Sequence, residues 1–262
     1  MRIWDSDVLT SPEGVKEKVF KPLLHAFLDM FFPPLCHVCH SFIPDADELH
    51  ICPACRAQMM PLGRPFCSVC GIPFLGAGDD HLCGDCIRHP PAYDAARAAI
   101  AYAGPVCKLI HDFKYTHKVH LRRPLALLII QHLNDVVAGH DWDLIIPVPL
   151  HVRRLRSRGF NQAVLLGELL ARKWRLPMER RTLRRVRWTE PQINLPAVDR
   201  RDNVKGAFAV HDVARVAGKR VILLDDVMTT GSTVNECAAV LKKAGAERIL
   251  VVTVARALPD SI

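Results

Sequence analysis

The sequence predicts an α/β domain with a mainly parallel sheet, preceded by a small cysteine-rich module. Three observations predict it. Eight of the ten cysteines fall into four CxxC pairs between residues 36 and 86. From about residue 93, short apolar runs alternate with longer helical patterns, which is how βαβ units read in sequence. One of those apolar runs ends in two adjacent aspartates and a hydroxyl-rich turn.

In chain order, residues 15–31 place Val15, Val19, Leu23, Phe27 and Phe31 at roughly helical spacing before Pro33 and Pro34 end the pattern. Pro22 interrupts it, so residues 1–35 read as an amphipathic lead-in rather than one unbroken helix. The CxxC pairs follow: Cys36/Cys39, Cys52/Cys55, Cys67/Cys70 and Cys83/Cys86. The gap between the first two pairs equals the gap between the last two, so residues 36–90 read as a duplicated unit. Such a unit fits two structural zinc ions, each closed by four thiolates, because a segment this small has little core of its own. The simplest grouping is sequential, and an interleaved cross-brace is the other. Redox chemistry at a CxxC is the rival use. His37, His40, His50 and His81 are surplus to eight thiolates, and Cys107 and Cys237 read as small buried apolar residues. Two ions per chain are expected, with chelation unfolding the N-terminal module and leaving the second domain largely intact.

The second domain is expected from residue 93 to 262. Strands are predicted at 97–102, 143–147, 219–224 and 248–255. Helices are predicted at 106–115, 121–137, 160–174 and 233–244, the last stopped by Gly245. In open α/β sheets, ligands bind beyond the carboxyl ends of the strands. There the chain reads Asp225, Asp226, Val227, Met228, Thr229, Thr230, Gly231, Ser232, Thr233. Two carboxylates leaving an apolar strand suit a metal or a diol, and a glycine-centred hydroxyl turn opening a helix suits a phosphate. A ribose 5-phosphate carries both groups.

The 262 residues are 50% hydrophobic and 24% charged, which excludes disorder, and no apolar stretch is long enough to span a membrane. Acidic residues near the N-terminus and the lack of an apolar core there argue against a secretory signal, so a soluble, cytoplasmic protein is expected. The net charge of +8 is regional: residues 151–205 hold 15 Lys and Arg against 5 Asp and Glu. Such a segment favours a polyanion, nucleic acid or a phosphorylated small molecule. There is no GxxxxGK[ST], and the acidic pair is adjacent rather than DxD, which excludes P-loop and haloacid-type phosphotransferases.

VILLDDVMTTGST at 221–233 resembles the phosphoribosyl pyrophosphate (PRPP) signature of type I phosphoribosyltransferases. PVPLHVRRLRSRGFNQ at 147–162, FKY at 113–115 and RRDNVKGAF at 200–208 resemble the ComF family of competence-associated proteins, and the CxxC units resemble its N-terminal double zinc ribbon. The resemblance covers nearly the whole chain and implies a type I phosphoribosyltransferase-like fold with helices on both faces of the sheet. It implies that Asp225 and Asp226 take the ribose hydroxyls, directly or through Mg(II), and that Thr229, Thr230, Gly231, Ser232 and Thr233 hold the 5′-phosphate. It further implies a pyrophosphate loop at Val148, Pro149, Leu150 and His151, with basic support from Arg153, Arg154, Arg156 and Arg158, and a mobile hood at about 187–206.

Thr229 stands where purine-salvage relatives carry the acid that deprotonates the incoming base. Transfer would then need an already reactive nucleophile or another base such as a histidine. Two functions follow from the resemblance. One is a PRPP-binding, phosphoribosyltransferase-like protein linked to DNA uptake or processing, with single-stranded DNA and a DNA-uptake or helicase-type protein as partners. The other is an active transferase that displaces pyrophosphate from PRPP onto an unknown nucleophile. Phe160, Trp174, Trp188 and Phe208 are the aromatics in or beside the basic segment on which bases could stack.

Overall fold

The computed structural model describes residues 33–189 and 203–259. The lead-in pattern at 15–31 lies outside these, as do residues 190–202 of the expected hood. The chain divides into two compact units, residues 1–52 and 53–262. No helix among the described residues is long and apolar enough to cross a membrane.

In the first unit, residues 33–52 fold around a cysteine knuckle. Cys36 N–H donates to the Ser41 carbonyl (2.8 Å) and His37 N–H to that of His50 (2.9 Å). The second unit opens with the short helix α1 (Pro53–Ala57) and repeats the knuckle. Cys67 N–H donates to the Ile72 carbonyl (2.8 Å) and Ser68 N–H to that of His81 (3.0 Å) before α2 (Gly84–Arg88). Each bond of the second knuckle is that of the first moved by 31 positions along the chain, so the duplication extends to the backbone hydrogen bonds.

The rest of the second unit alternates strand and helix. In order come β1 (Ala95–Ala101), α3 (Pro105–Tyr115), α4 (Arg122–Ala138), β2 (Leu144–Pro147), α5 (Val152–Arg158) and α6 (Gln162–Trp174). Then follow β3 (Leu183–Arg185), β4 (Phe208–Val210), β5 (Arg220–Met228), α7 (Ser232–Lys243) and β6 (Arg248–Arg256). Four strands form a parallel sheet in the order β1-β6-β5-β2, and β3 and β4 pair separately as an antiparallel ribbon. Parallel strands covered on both faces read as continuous apolar runs, as Val221 to Leu224 and Ile249 to Val252 do. Alternate residues serve opposite faces. Leu144, Ile146, Val221, Leu223, Ile249 and Val251 pack with Val234, Cys237, Ala238 and Leu241 of α7. On the other face Leu224 meets α6, where a Cβ at Gly167 would stand 3.3 Å from the Leu224 Cδ2.

Three details differ from the sequence expectations. β5 continues past Leu224 through both aspartates to Met228, because β6 is long enough to pair with it there (Asp225 with Thr253, Met228 with Arg256). Cys237 is fully buried, but Cys107 is only half-buried. The second knuckle is not separate from the sheet: Ala96 N–H donates to the Val69 carbonyl (2.6 Å), Leu62 N–H to that of Ala99 (3.1 Å) and Ala101 N–H to that of Met60 (2.8 Å).

Candidate functional site

The eight paired cysteines form two groups, Cys36, Cys39, Cys52, Cys55 and Cys67, Cys70, Cys83, Cys86, with the sulfurs of each group within 4.8 Å of one another. The grouping is therefore sequential and not a cross-brace. Cys39 and Cys52 Sγ lie 3.6 Å apart, and Cys70 and Cys83 Sγ 3.7 Å. A tetrahedron with zinc–sulfur bonds of about 2.3 Å has edges of about 3.8 Å, so both groups fit Zn(II). Backbone N–H groups point at the sulfurs: Val38 and Cys52 donate to Cys36 Sγ (both 3.4 Å), and Cys70 and Cys83 to Cys67 Sγ (3.5 and 3.3 Å). Burial works against the Cys67 thiolate, but these donors prevail and lower its pKa to about 6. With four thiolates each, the groups leave no position open to substrate, which makes their metals structural. The histidines stay outside both groups; His81 stacks on Phe74 with ring centroids 3.9 Å apart.

The second site is a cavity of about 750 Å³ at the carboxyl ends of β2 and β5. Asp225 and Asp226 enter it from β5, and their orientation is set locally. Asp226 N–H donates to Asp225 Oδ1 and Val227 N–H to Asp226 Oδ1, both at 2.9 Å. Asp226 Oδ2 is buried and has no well-directed hydrogen bond, although Lys114 Nζ from the last turn of α3 is 2.7 Å away. Burial and the neighbouring Asp226 charge push Asp225 up to about 8. Burial opposes the charge of Lys114, but Asp226 and Asp225 outweigh it and raise its pKa.

After Met228 the chain turns through Gly231, whose φ of 78° is a left-handed conformation suited to glycine. Thr230 and Ser232 hydroxyls lie 2.8 Å apart across this turn. The N-cap of α7, Gly231, has no side chain, and Ser232 N–H at the start of the helix donates to Thr230 Oγ1 (3.4 Å); a helix N-terminus of this kind suits an anion. Thr229 and Thr233 line the cavity, while Thr230, Gly231 and Ser232 form the turn between them.

Opposite this turn, Val148, Pro149 and Leu150 line the cavity after β2, with Arg153, Arg154 and Arg158 behind them; Arg156 does not. His151 stands just outside as the N-cap of α5, its ring 5.2 Å from that of Trp188, which does line the cavity. RGFNQ has a structural reason at each position. Gly159, with φ of 79°, ends α5. Phe160 packs on the buried Phe113 (5.5 Å between centroids). Asn161 caps α6 through Ala163 N–H and donates to the Val148 carbonyl, both at 2.9 Å, which fixes the loop. Arg158 donates to Gln162 Oε1 (2.9 Å) and lies over the Tyr115 ring (5.0 Å).

Lys114, Gln162 and Arg185 also line the cavity, and the sequence reading gave none of them an individual role. Arg154 Nη2, Gln162 Nε2 and Arg185 Nε are buried donors without a hydrogen-bond partner. Among the described residues, neither Arg154 nor Arg185 pairs with a carboxylate. Burial and the charge of Arg154 lower Arg185 to about 10. Buried polar groups normally find partners, so donors of this kind converging on one cavity suit an anionic ligand. Lys114 was within reach as the middle of the quoted FKY. Arg185 carried no signal, because its approach depends on the β3–β4 pairing.

The double zinc ribbon domain family matches residues 27–87, and the phosphoribosyl transferase domain family matches residues 164–260. Competence protein F of Haemophilus influenzae is 37% identical over 211 residues, covering 79% of this chain and 90% of its own length. The chain belongs to the ComF family. A further ComF relative, the DNA utilization protein YhgH of Escherichia coli, is 34% identical over 230 residues, 86% of this chain and 98% of its own. Among solved structures, a glutamine PRPP amidotransferase from B. subtilis is similar at 21% identity and a TM-score of 0.36, covering 54% of this chain and 27% of that one. In this ComF chain the zinc-ribbon match spans both cysteine groups, and the transferase match spans β5 and the turn after it.

Proposed function

We propose that this ComF protein binds PRPP, or a related ribose 5-phosphate, in the cavity at the ends of β2 and β5, and does so in DNA uptake or processing. The observation that carries the reading is the set of buried donors there without a hydrogen-bond partner, at Arg154, Gln162 and Arg185, facing the Asp225 and Asp226 carboxylates across one cavity. Ribose hydroxyls would donate to Asp225 and Asp226. The 5′-phosphate would rest on Thr229, Thr230, Gly231, Ser232 and Thr233 and on the first-turn N–H groups of α7. The pyrophosphate would meet the Val148–His151 loop, Arg153, Arg154 and Arg158, with Arg185 and Gln162 added. Residues 187–206 would close over it as a hood. Magnesium bound with PRPP would offset the charge of the phosphate oxygens, and Asp225 and Asp226 are the carboxylates that would hold it.

The DNA link rests on relatives named for competence and DNA utilization. Within the basic segment, Trp188 is 37% exposed, with Arg153 and Arg154 over its ring at 5.6 and 5.5 Å, an arrangement that suits a stacked base beside a phosphate. Single-stranded DNA would be the polyanion, and its affinity should fall steeply with salt.

A second reading, transfer onto an external nucleophile, is favoured by His111 and His117, which line the same cavity and could take a proton that Thr229 cannot. Calorimetric titration of the native chain and of Asp225→Asn/Asp226→Asn with PRPP and Mg(II) tests the ribose site. Saturable heat is expected from the native protein alone, and equal heats would overturn the assignment. Pyrophosphate release on addition of candidate nucleophiles would separate the two readings.

A further inference from the structure

The second cysteine group and the phosphate turn are joined by one buried cation. Arg256, the last residue of β6, is 8% exposed. Its Nη1 donates to the Cys70 carbonyl (2.6 Å) and approaches Met228 Sδ (3.2 Å), while its Nε has no partner. Among the described residues, no carboxylate forms an ion pair with it. A second arginine flanks the same knuckle. Arg97 Nη2 donates to the Ser68 carbonyl (3.0 Å), and its guanidinium lies 4.2 Å from the Phe66 ring centroid.

Buried charges need partners. A Zn(II) ion with four thiolates carries a formal charge of −2, and two guanidiniums from β1 and β6 match it. On the far side of Arg256, Met228 ends β5 and its Cε lies against the turn: a Cβ on Gly231 would be 2.8 Å from it and 3.7 Å from the Tyr93 hydroxyl. Met228 and Tyr93 are buried, so the path from knuckle to turn is close-packed.

We propose that Arg256 is a positioning residue through which the second zinc centre holds the 229–233 turn in its binding shape. With the centre loaded, its negative charge fixes the guanidinium, which fixes Met228 and the turn resting on it. Without the metal, the knuckle that presents the Cys70 carbonyl to Arg256 is no longer held in place, so the guanidinium, Met228 and the turn resting on it loosen. The inference rests on the reading of this turn as the phosphate site, but the coupling itself is measurable without ligand. Coupling of this kind is reciprocal, so whatever zinc does for the turn's ligand, the ligand does for zinc.

The test is amide hydrogen exchange on the full chain, zinc-loaded and after chelation, with zinc counted in each sample, for the native protein, Arg256→Met and Arg256→Lys. Amides from Met228 to Thr233 are expected to exchange at least about tenfold faster once the second group is emptied, the size of a modest allosteric coupling. A Cys36→Ser chain, which loses only the first ion, should keep native protection at these amides. In Arg256→Met they should exchange fast whether or not zinc is bound, and Arg256→Lys should retain part of the protection. Protection that ignores zinc in the native chain overturns the proposal, as does zinc-dependent protection that survives in Arg256→Met. PRPP titration of the same samples keeps the two ideas apart. Zinc-dependent protection without PRPP heat would reject the ligand and leave the coupling standing, while PRPP heat that is unaffected by zinc would do the reverse.

Discussion

The two cysteine knuckles share their backbone hydrogen bonds and differ at one telling position. His40 in the first and Gly71 in the second both close the turn by donating N–H to a cysteine carbonyl (Cys36 and Cys67), and both have positive φ, 61° and 71°. His40 is exposed. A Cβ at Gly71 would fall on the Ala96 carbonyl of β1, so that turn is glycine for closeness as much as for conformation. A duplicated unit states its fold through what the copies share, and its docking surface through where they differ.

The comparison can be broken most decisively at the metal ligands. Cys67→Ser should destabilise the sheet-bearing unit by about 4 kcal/mol or more, part of the roughly 10 kcal/mol that structural zinc contributes, and so lower its Tm by about 8–16 °C. Cys36→Ser should leave that transition nearly in place. Two such transitions displaced equally in scanning calorimetry would erase the distinction between the knuckles.

Next in size is the turn residue. Gly71→Ala adds a clash to left-handed strain and should cost about 2–3 kcal/mol by denaturant titration, whereas His40→Gly should stabilise by up to about 1 kcal/mol. A dependence on pH separates both knuckles from the cleft. Asp225 is raised from 3.8 to about 8, so the folded chain holds a proton that the unfolded chain releases near pH 4. Its contribution to stability therefore falls as pH rises from about 4 to about 8. Ribose hydroxyls need the ionised acceptor, so PRPP affinity should move the other way and climb through pH 8. Lys114→Met, which removes the cation favouring that ionisation, should shift the climb to higher pH in calorimetry. A flat profile would remove Asp225 from the site.

Much of this was legible in the sequence. The four CxxC pairs stated the duplication, the apolar runs of β5 and β6 marked buried parallel strands, and the helices α3, α4, α6 and α7 lie within a few residues of their periodic patterns. The acidic pair, Thr229 and Thr233 of the hydroxyl turn, and Val148, Pro149 and Leu150 after β2 come together around one cavity. What was not legible depends on contacts distant in sequence. The strands β3 and β4 are three residues each and carry no periodicity, yet they deliver Arg185. Lys114 reads as an exposed charge at a helix end until folding sets it against Asp226. Arg256 falls just past the strand predicted at 248–255, and nothing near it in sequence points to Cys70, far away in the chain, whose carbonyl it binds.

The attachment of the second knuckle has one more effect. β1 lies at the margin of the sheet, with β6 on one side, and its sequence AARAAIA offers a single charge to discourage pairing with another chain. Val69, Met60 and Leu62 occupy its outward-facing backbone groups, so the metal-stapled segment works as a guard against edge-to-edge aggregation. Zinc starvation would then deplete this protein by self-association as well as by lost binding, as sheet-mediated oligomers seeded at β1.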